Sequence, residues 1–218
     1  MSAPAMPIPQ GTVYKFLRYG QFSPYGKGRW RKVTGPLVPC RNGLHGCTRE
    51  QLDQWVDDEL WLLEVDPSLP VLVLEDKIVS TKARITKQVV AWNERTARLW
   101  AADCAEHVLP YWTPVYPDDD RPARVITVAR QYARGKASAD ELVAAHDAAY
   151  AAAVTAYDGV AANAAKAAAY AASSSSAACS YAPVYAACSY ADAYAGDALA
   201  ERQWQTWRLL DYVEGRAG

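Results

Sequence analysis

Residues 92–134 read WNERTARLWAADCAEHVLPYWTPVYPDDDRPARVITVARQYAR, two helical segments held apart by prolines, and this stretch constrains the fold more than any other. Asn93 is a good N-cap, and Glu94 sets a negative charge against the positive end of the helix dipole. Trp100, Cys104, His107, Val108 and Tyr111 then recur at helical spacing as one apolar stripe. Pro110 and Pro114 stop the helix. A second helix is expected to open at Asp118, Asp119, Asp120, Arg121 and Pro122, where an aspartate can cap and proline has no N–H to leave unpaired. Its expected buried face is Val125, Val128, Ala129 and Tyr132, with Gly135 as the residue past its end. Ser138 and Glu141 form a capping box that opens a third helix.

From Ser138 onward the chain is dominated by Ala, Tyr, Ser and Asp. Alanine is the strongest helix former, so this region predicts helices on propensity alone. Tyr150, Val154 and Tyr157 form a stripe, and the surrounding alanines are expected to let that stripe approach another helix closely. Residues 173–176 read as a junction, Pro183 as a first turn or kink, and Tyr181, Tyr185 and Cys188 as a continuing stripe. A last helix is expected from Asp197 through Leu199, Gln203, Trp207 and Leu210 to Gly215. Similar segments recur without a fixed period, which is compositional bias and not a solenoid.

The front of the chain has another character. Residues 1–11 read as a flexible arm with Pro4, Pro7 and Pro9. Residues 13–19 alternate as a strand, 30–33 open a second, and 36–46 read as irregular. Thr48 and Gln51 make a capping box for a short helix through Leu52, Trp55 and Val56. Strands are expected at 60–65 and 71–74, and along an alternating stretch from 77 to 90. The fold class is therefore α+β. A small, mostly antiparallel N-terminal sheet with a short helix (12–91) precedes an Ala-rich α-helical bundle (92–218).

A formal net charge of -1 gives no general drive toward nucleic acid or an acidic membrane surface. No basic region followed by an apolar run opens the chain, and no apolar stretch reaches the roughly 18 residues a membrane helix needs. Five cysteines at scattered spacings favour reduced thiols and a bacterial cytoplasm.

The candidate chemistry is sparse. Cys40, His45 and Cys47 in CRNGLHGC are zinc-type donors, but a closed site needs a fourth ligand. The competing reading is a glycine-rich loop whose Leu44 and Cys47 tuck into the sheet. Cys104 and His107 lie one turn apart, yet on an apolar stripe, where cysteine behaves as a small hydrophobe and histidine is hydrogen-bonded core. Asp118, Asp119 and Asp120 bear carboxylates suited to a hard cation, but three consecutive residues rarely converge on one ion. Arg18, Lys27, Arg29, Arg31 and Lys32, interleaved with Tyr19, Tyr25 and Trp30, suit either nucleic acid or the guarding of a sheet edge. Walker, GxGxxG, HExxH and GxSxG patterns are absent.

The helix AADCAEHVLP, the corner DDDRP and the segment VARQYARGKAS, followed by the Ala-rich tail, resemble the helical domain of immunity proteins. That domain occurs in actinobacterial polymorphic-toxin loci and in actinobacteriophages, and the resemblance covers about 95–213. The front is similar to a strand-rich phage and bacterial domain with a GFHAC-like loop, here NGLHGC, departing at Leu44 and Gly46. The resemblance implies a protein-binding, non-enzymatic module without a cofactor, whose partner is a toxin or a phage or host protein such as an integrase or defence factor. Asp118, Asp119, Asp120 and Arg121, with Tyr25, Arg29 and Trp30, are the candidate contacts. The alternative is a nucleotide-using transferase centred on His45, Cys40 and Cys47.

Overall fold

The computed structural model describes residues 12–18, 27–172 and 198–217. The expected arm at 1–11, Tyr19, Tyr25, the junction at 173–176, Pro183, and the stripe of Tyr181, Tyr185 and Cys188 lie outside the described residues. The backbone separates into two compact units, 1–90 and 91–218.

In the first unit, β1 (Val13–Leu17), β2 (Arg31–Lys32), β4 (Glu59–Val65) and β7 (Lys82–Gln88) form an antiparallel sheet in the order β1-β4-β7-β2. A second sheet, β3 (Leu44–Gly46), β5 (Val71–Val73) and β6 (Ile78–Ser80), has the order β3-β6-β5. Period-two alternation points Val13, Trp61, Leu63, Ala83 and Ile85 inward, where they meet Leu44, Val71 and Ile78 of the smaller sheet in one core. Two segments differ from their sequence reading. The stretch 36–46 is not wholly irregular, because Leu44–Gly46 pairs with β6. The stretch 77–90 is not one strand: Thr81 turns out to bond Pro70 O with both its N–H and its hydroxyl, and the chain changes sheets there. Ile78 and Val79, both 0% exposed, show why alternation fails before that point, since both faces are covered.

The Thr48–Gln51 box opens a 3-10 helix, Arg49–Trp55, in which Gln51 Oε1 accepts from Thr48 N–H. Gln51 Nε2 in turn donates to Leu74 O and Glu75 O, tying this helix to the β5–β6 turn.

The second unit is helical: α1 (Glu94–Val108), α2 (Arg121–Ala133), α3 (Ala139–Thr155), α4 (Gly159–Ala172) and α5 (Ala198–Val213). Asn93 and Thr96 cap α1 reciprocally, each side chain accepting from the other's N–H. Past α1, Pro110 sits in a 3-10 turn, Leu109–Tyr111. Beyond α2, Gly135 takes φ +68, Lys136 N–H reaches Gln131 O and Gly135 N–H reaches Tyr132 O, a Schellman closure that a Cβ would strain. At α3, Ser138 Oγ accepts from Glu141 N–H while the Glu141 carboxylate takes Ser138 N–H. Removing this cap with Ser138→Ala is expected to cost about 1 kcal/mol, read from the urea midpoint; an unchanged midpoint would mean that water caps as well as serine does.

Alanine decides the packing. α4 contacts α1, α2 and α3, and Ala161, Ala165, Ala167, Ala168 and Ala169 on it are all 0% exposed. A helix buried on nearly all sides needs side chains this small if three neighbours are to close on it. The Tyr150, Val154 and Tyr157 stripe is correspondingly not the face that approaches. Ala149, Ala152 and Ala153 are buried, whereas Tyr150, Val154 and Tyr157 are 41%, 62% and 84% exposed. Among the described residues, no helix is long and apolar enough to cross a membrane.

Candidate functional site

The acidic corner is built by Trp112. Its ring is 2% exposed, its Nε1 donates to Asp119 O at 2.8 Å, and it stacks on Tyr116 with centroids 4.2 Å apart. Asp119 turns inward along the chain: its carboxylate accepts from Arg121 Nε at 2.8 Å and from Arg121 N–H at 3.2 Å. The Arg121 guanidinium holds the Asp119 carboxyl below the usual carboxylate range. Asp120 is the N-cap residue of α2 but makes no side-chain cap bond. Asp118 and Asp120 thus remain exposed, while Asp119 and Arg121 are engaged with each other.

In the front segment, Arg29 is exposed and Trp30 is 36% exposed. Lys82 Nζ and the Arg84 guanidinium lie over the Trp30 ring, 4.8 and 4.6 Å from its centroid. Both cations also hold carboxylates, Lys82 that of Asp66 and Arg84 that of Glu64. This basic-aromatic cluster is therefore knitted into the sheet as a charged edge, and Trp30 is already covered by cations.

The NGLHGC loop does not gather its three sulfur and nitrogen donors. Cys47 is 2% exposed, and burial pushes its thiol up to about 12, so it is un-ionised. Cys40 is exposed, in the left-handed region at φ +62, with its sulfur facing Lys77 Nζ at 3.4 Å. His45 Nε2 accepts from Cys40 N–H at 3.0 Å, and the ring also hydrogen-bonds the Gly43 backbone. Burial, then the nearby Lys15 and Lys77, lowers the His45 pKa. His45 is thus a neutral latch across its own loop. Leu44 and Cys47 tuck inward as the structural reading of the loop requires. Gly46 fits where a Cβ would stand 2.6 Å from Leu63 Cδ2 and 2.9 Å from Val13 Cγ1, which accounts for glycine where the GFHAC pattern has alanine. Among the described residues, no group of three or more His, Cys, Asp or Glu is placed to hold a metal ion. The surface here is not flat: a cavity of about 250 Å³ is lined by Lys15, Phe16, His45, Cys47, Trp55, Asp57 and Lys77, among others.

Sequence reasoning missed the main polar centre of the helical unit. Asp103 is 9% exposed; its carboxylate accepts from Arg130 Nη2 at 2.7 Å, Arg208 Nε at 2.7 Å and Tyr212 Oη at 2.6 Å. Glu106 shares Arg130 and keeps its own carboxyl low by that bond. Three helices distant in sequence meet on one carboxylate, and only the helical phase of Asp103 toward the Trp100 side hinted at it. His107 also differs from its reading as buried core. Its side chain is 40% exposed, its Nδ1 lies 2.6 Å from Glu201 Oε2, and it stacks on Trp204 at 3.7 Å. Cys104, at 0% exposed, has the apolar role expected of it.

The corner and the outer face of α3 adjoin. Tyr116 Oη accepts from Tyr157 N–H at 2.7 Å, and the two rings meet edge-on at 5.2 Å. Exposed apolar groups, Val143, Tyr150 and Val154 on α3 and then Tyr157, lead to this junction, and Asp118 and Asp120 are exposed in the segment that follows Tyr116. Along α3 the charged residues are Asp140, Glu141 and Asp147, with no lysine or arginine.

No curated protein and no solved structure matches the chain. Residues 88–212, which span the helical unit nearly end to end, match the family described as Imm-5 like putative immunity protein. With more than half of its length matched, the chain belongs to this Imm-5 like family.

Proposed function

We propose that this chain is a non-enzymatic immunity protein that binds and masks a toxin through the outer face of its helical unit. Membership of the Imm-5 like family carries the reading, and the surface supports it. Among the described residues after 91, the exposed large apolar side chains are Tyr111, Val143, Tyr150, Val154, Tyr157, Val160 and Trp207; the first unit exposes Trp30, Val38, Trp55 and Val90. Rigid aromatic side chains of this kind anchor protein interfaces. Charge is unequal as well. Residues 1–90 carry 12 basic and 9 acidic side chains, and residues 91–218 carry 11 basic and 15 acidic. The acidic residues of α3, Asp140, Glu141 and Asp147, suit a partner with a basic surface, which they would steer in encounter. Asp118 and Asp120 add exposed acidic groups at the corner, which Asp119 and Arg121 shape.

The test is co-expression with the toxin encoded beside the gene. The wild-type chain should co-purify with that toxin and restore growth. Tyr157→Ala combined with Val154→Asp should weaken binding at least about tenfold, a loss of about 1.4 kcal/mol, with the urea midpoint unchanged. Undiminished affinity in the double variant would move the interface elsewhere. A chain that neither binds nor protects would remove the immunity reading, and co-purification of an integrase or defence factor would replace it with a phage regulatory role. The second reading, a transferase centred on His45, is favoured by the cavity there. It is opposed by the ring's bonds to Cys40 N–H and the Gly43 backbone, which hold His45 within its own loop.

A further inference from the structure

We propose that the groove between α2 and α3 receives a large apolar side chain of the toxin, beside a toxin carboxylate that pairs with Arg124. Such an anchor rests on the masking role proposed above and specifies what the toxin must present.

The groove follows from side-chain size. α2 turns Arg124, Val125 and Val128 toward it, and α3 turns Ala144, Ala145 and Ala148, each set lying on one face of its helix. Alanine side chains end at Cβ, so a space of about 320 Å³ stays open between two helices that are otherwise in contact. Val125, 0% exposed, lies at its base. Val128, Ala145 and Ala148 are half-buried and Ala144 is exposed, so the groove opens to solvent.

Two of the charged residues on its rim are already engaged. Arg121 holds Asp119, and the Glu141 carboxylate takes the Ser138 N–H in the cap of α3. Arg124 is exposed, and among the described residues no carboxylate pairs with it. One uncommitted cation over an apolar base gives too few polar groups to fix a small molecule. An interface pocket needs no more than that: an apolar anchor is buried, and the charge at its edge is matched by the partner.

The charge on α3 selects the occupant. Ala144 and Ala148 directly follow Val143 and Asp147, so the groove borders the exposed stripe of the same helix. Asp140 and Asp147 accompany that stripe, and α3 has no lysine or arginine. A second copy of this chain presenting the same face would set acid against acid, and nucleic acid or an anionic membrane would be repelled in the same way. A protein fits when its apolar residue has a carboxylate on the α2 side, toward Arg124, and a lysine or arginine on the α3 side, toward Asp140 and Asp147.

The toxin encoded beside the gene, mixed with the full chain, is the probe. The methyl resonances of Val125, Val128 and Ala145 should shift when the complex forms. Arg124→Glu should weaken binding at least about tenfold with the urea midpoint unchanged, and exchanging one toxin Asp or Glu for Lys should restore it. If the toxin binds the wild-type chain, either unmoved methyls or equal binding by Arg124→Glu overturns the groove proposal while the masking role stands. A toxin that does not bind the wild-type chain overturns both. The methyl shifts are read on the unaltered chain, so they decide the matter even if a variant fails to fold.

Discussion

Asp103→Ala should destabilise the helical unit by about 3–5 kcal/mol, because it strips the shared acceptor from Arg130, Arg208 and Tyr212 together. The side chain of Asp103 is only 11% exposed, so water cannot take its place readily. Two guanidinium groups would then face each other across an emptied site, and the Tyr212 hydroxyl, whose pKa burial already raises, would lose its acceptor. Asp103→Asn keeps the shape but not the charge, and should fall between the wild type and alanine. Trp100 is a convenient reporter: it lies on the same helix, is 0% exposed, and donates its Nε1–H to Gln205 O on α5 at 3.1 Å. Urea unfolding followed by tryptophan fluorescence measures the loss. A change below about 1 kcal/mol would show that α5 docks by apolar burial alone.

Ala168→Leu is the second large effect. Ala168 is 0% exposed on a helix that contacts α1, α2 and α3, so three added carbons have nowhere to go. Forcing them in should cost about 1–3 kcal/mol by pushing neighbouring helices apart. The control is Ala151→Leu on the exposed side of α3, where the same change should stay within about 0.5 kcal/mol. Equal midpoints for the two variants, measured by far-UV circular dichroism in urea, would mean that α4 is not packed on all sides.

These two substitutions also mark where the sequence stops being legible. Local signals were reliable because they act within one turn: Asn93 with Thr96, Ser138 with Glu141 and Gly135 after α2 are all used as their residue types demand. Periodicity was less so. The stretch from 77 to 90 read as one strand although the chain changes sheets at Thr81, since side-chain direction says nothing about which partner strand lies alongside. On α3 the larger Tyr and Val side chains suggested the buried face, yet a closely packed helix buries what is smallest. Of the candidate site residues, Asp119 and Arg121 satisfy each other, His45 latches its own loop, and Asp118 and Asp120 alone of the corner stay exposed. Asp103 showed no more than its helical phase, because its partners lie 27, 105 and 109 residues away.

What the sequence by itself determined is therefore the class of each segment and most helix ends, since propensity, caps and proline stops are short-range effects. Only the tertiary structure decided which helix faces are covered, how the two sheets of the first unit share a core, and that one carboxylate joins three helices. Those outcomes depend on shape and charge brought together from distant positions, which no local pattern encodes.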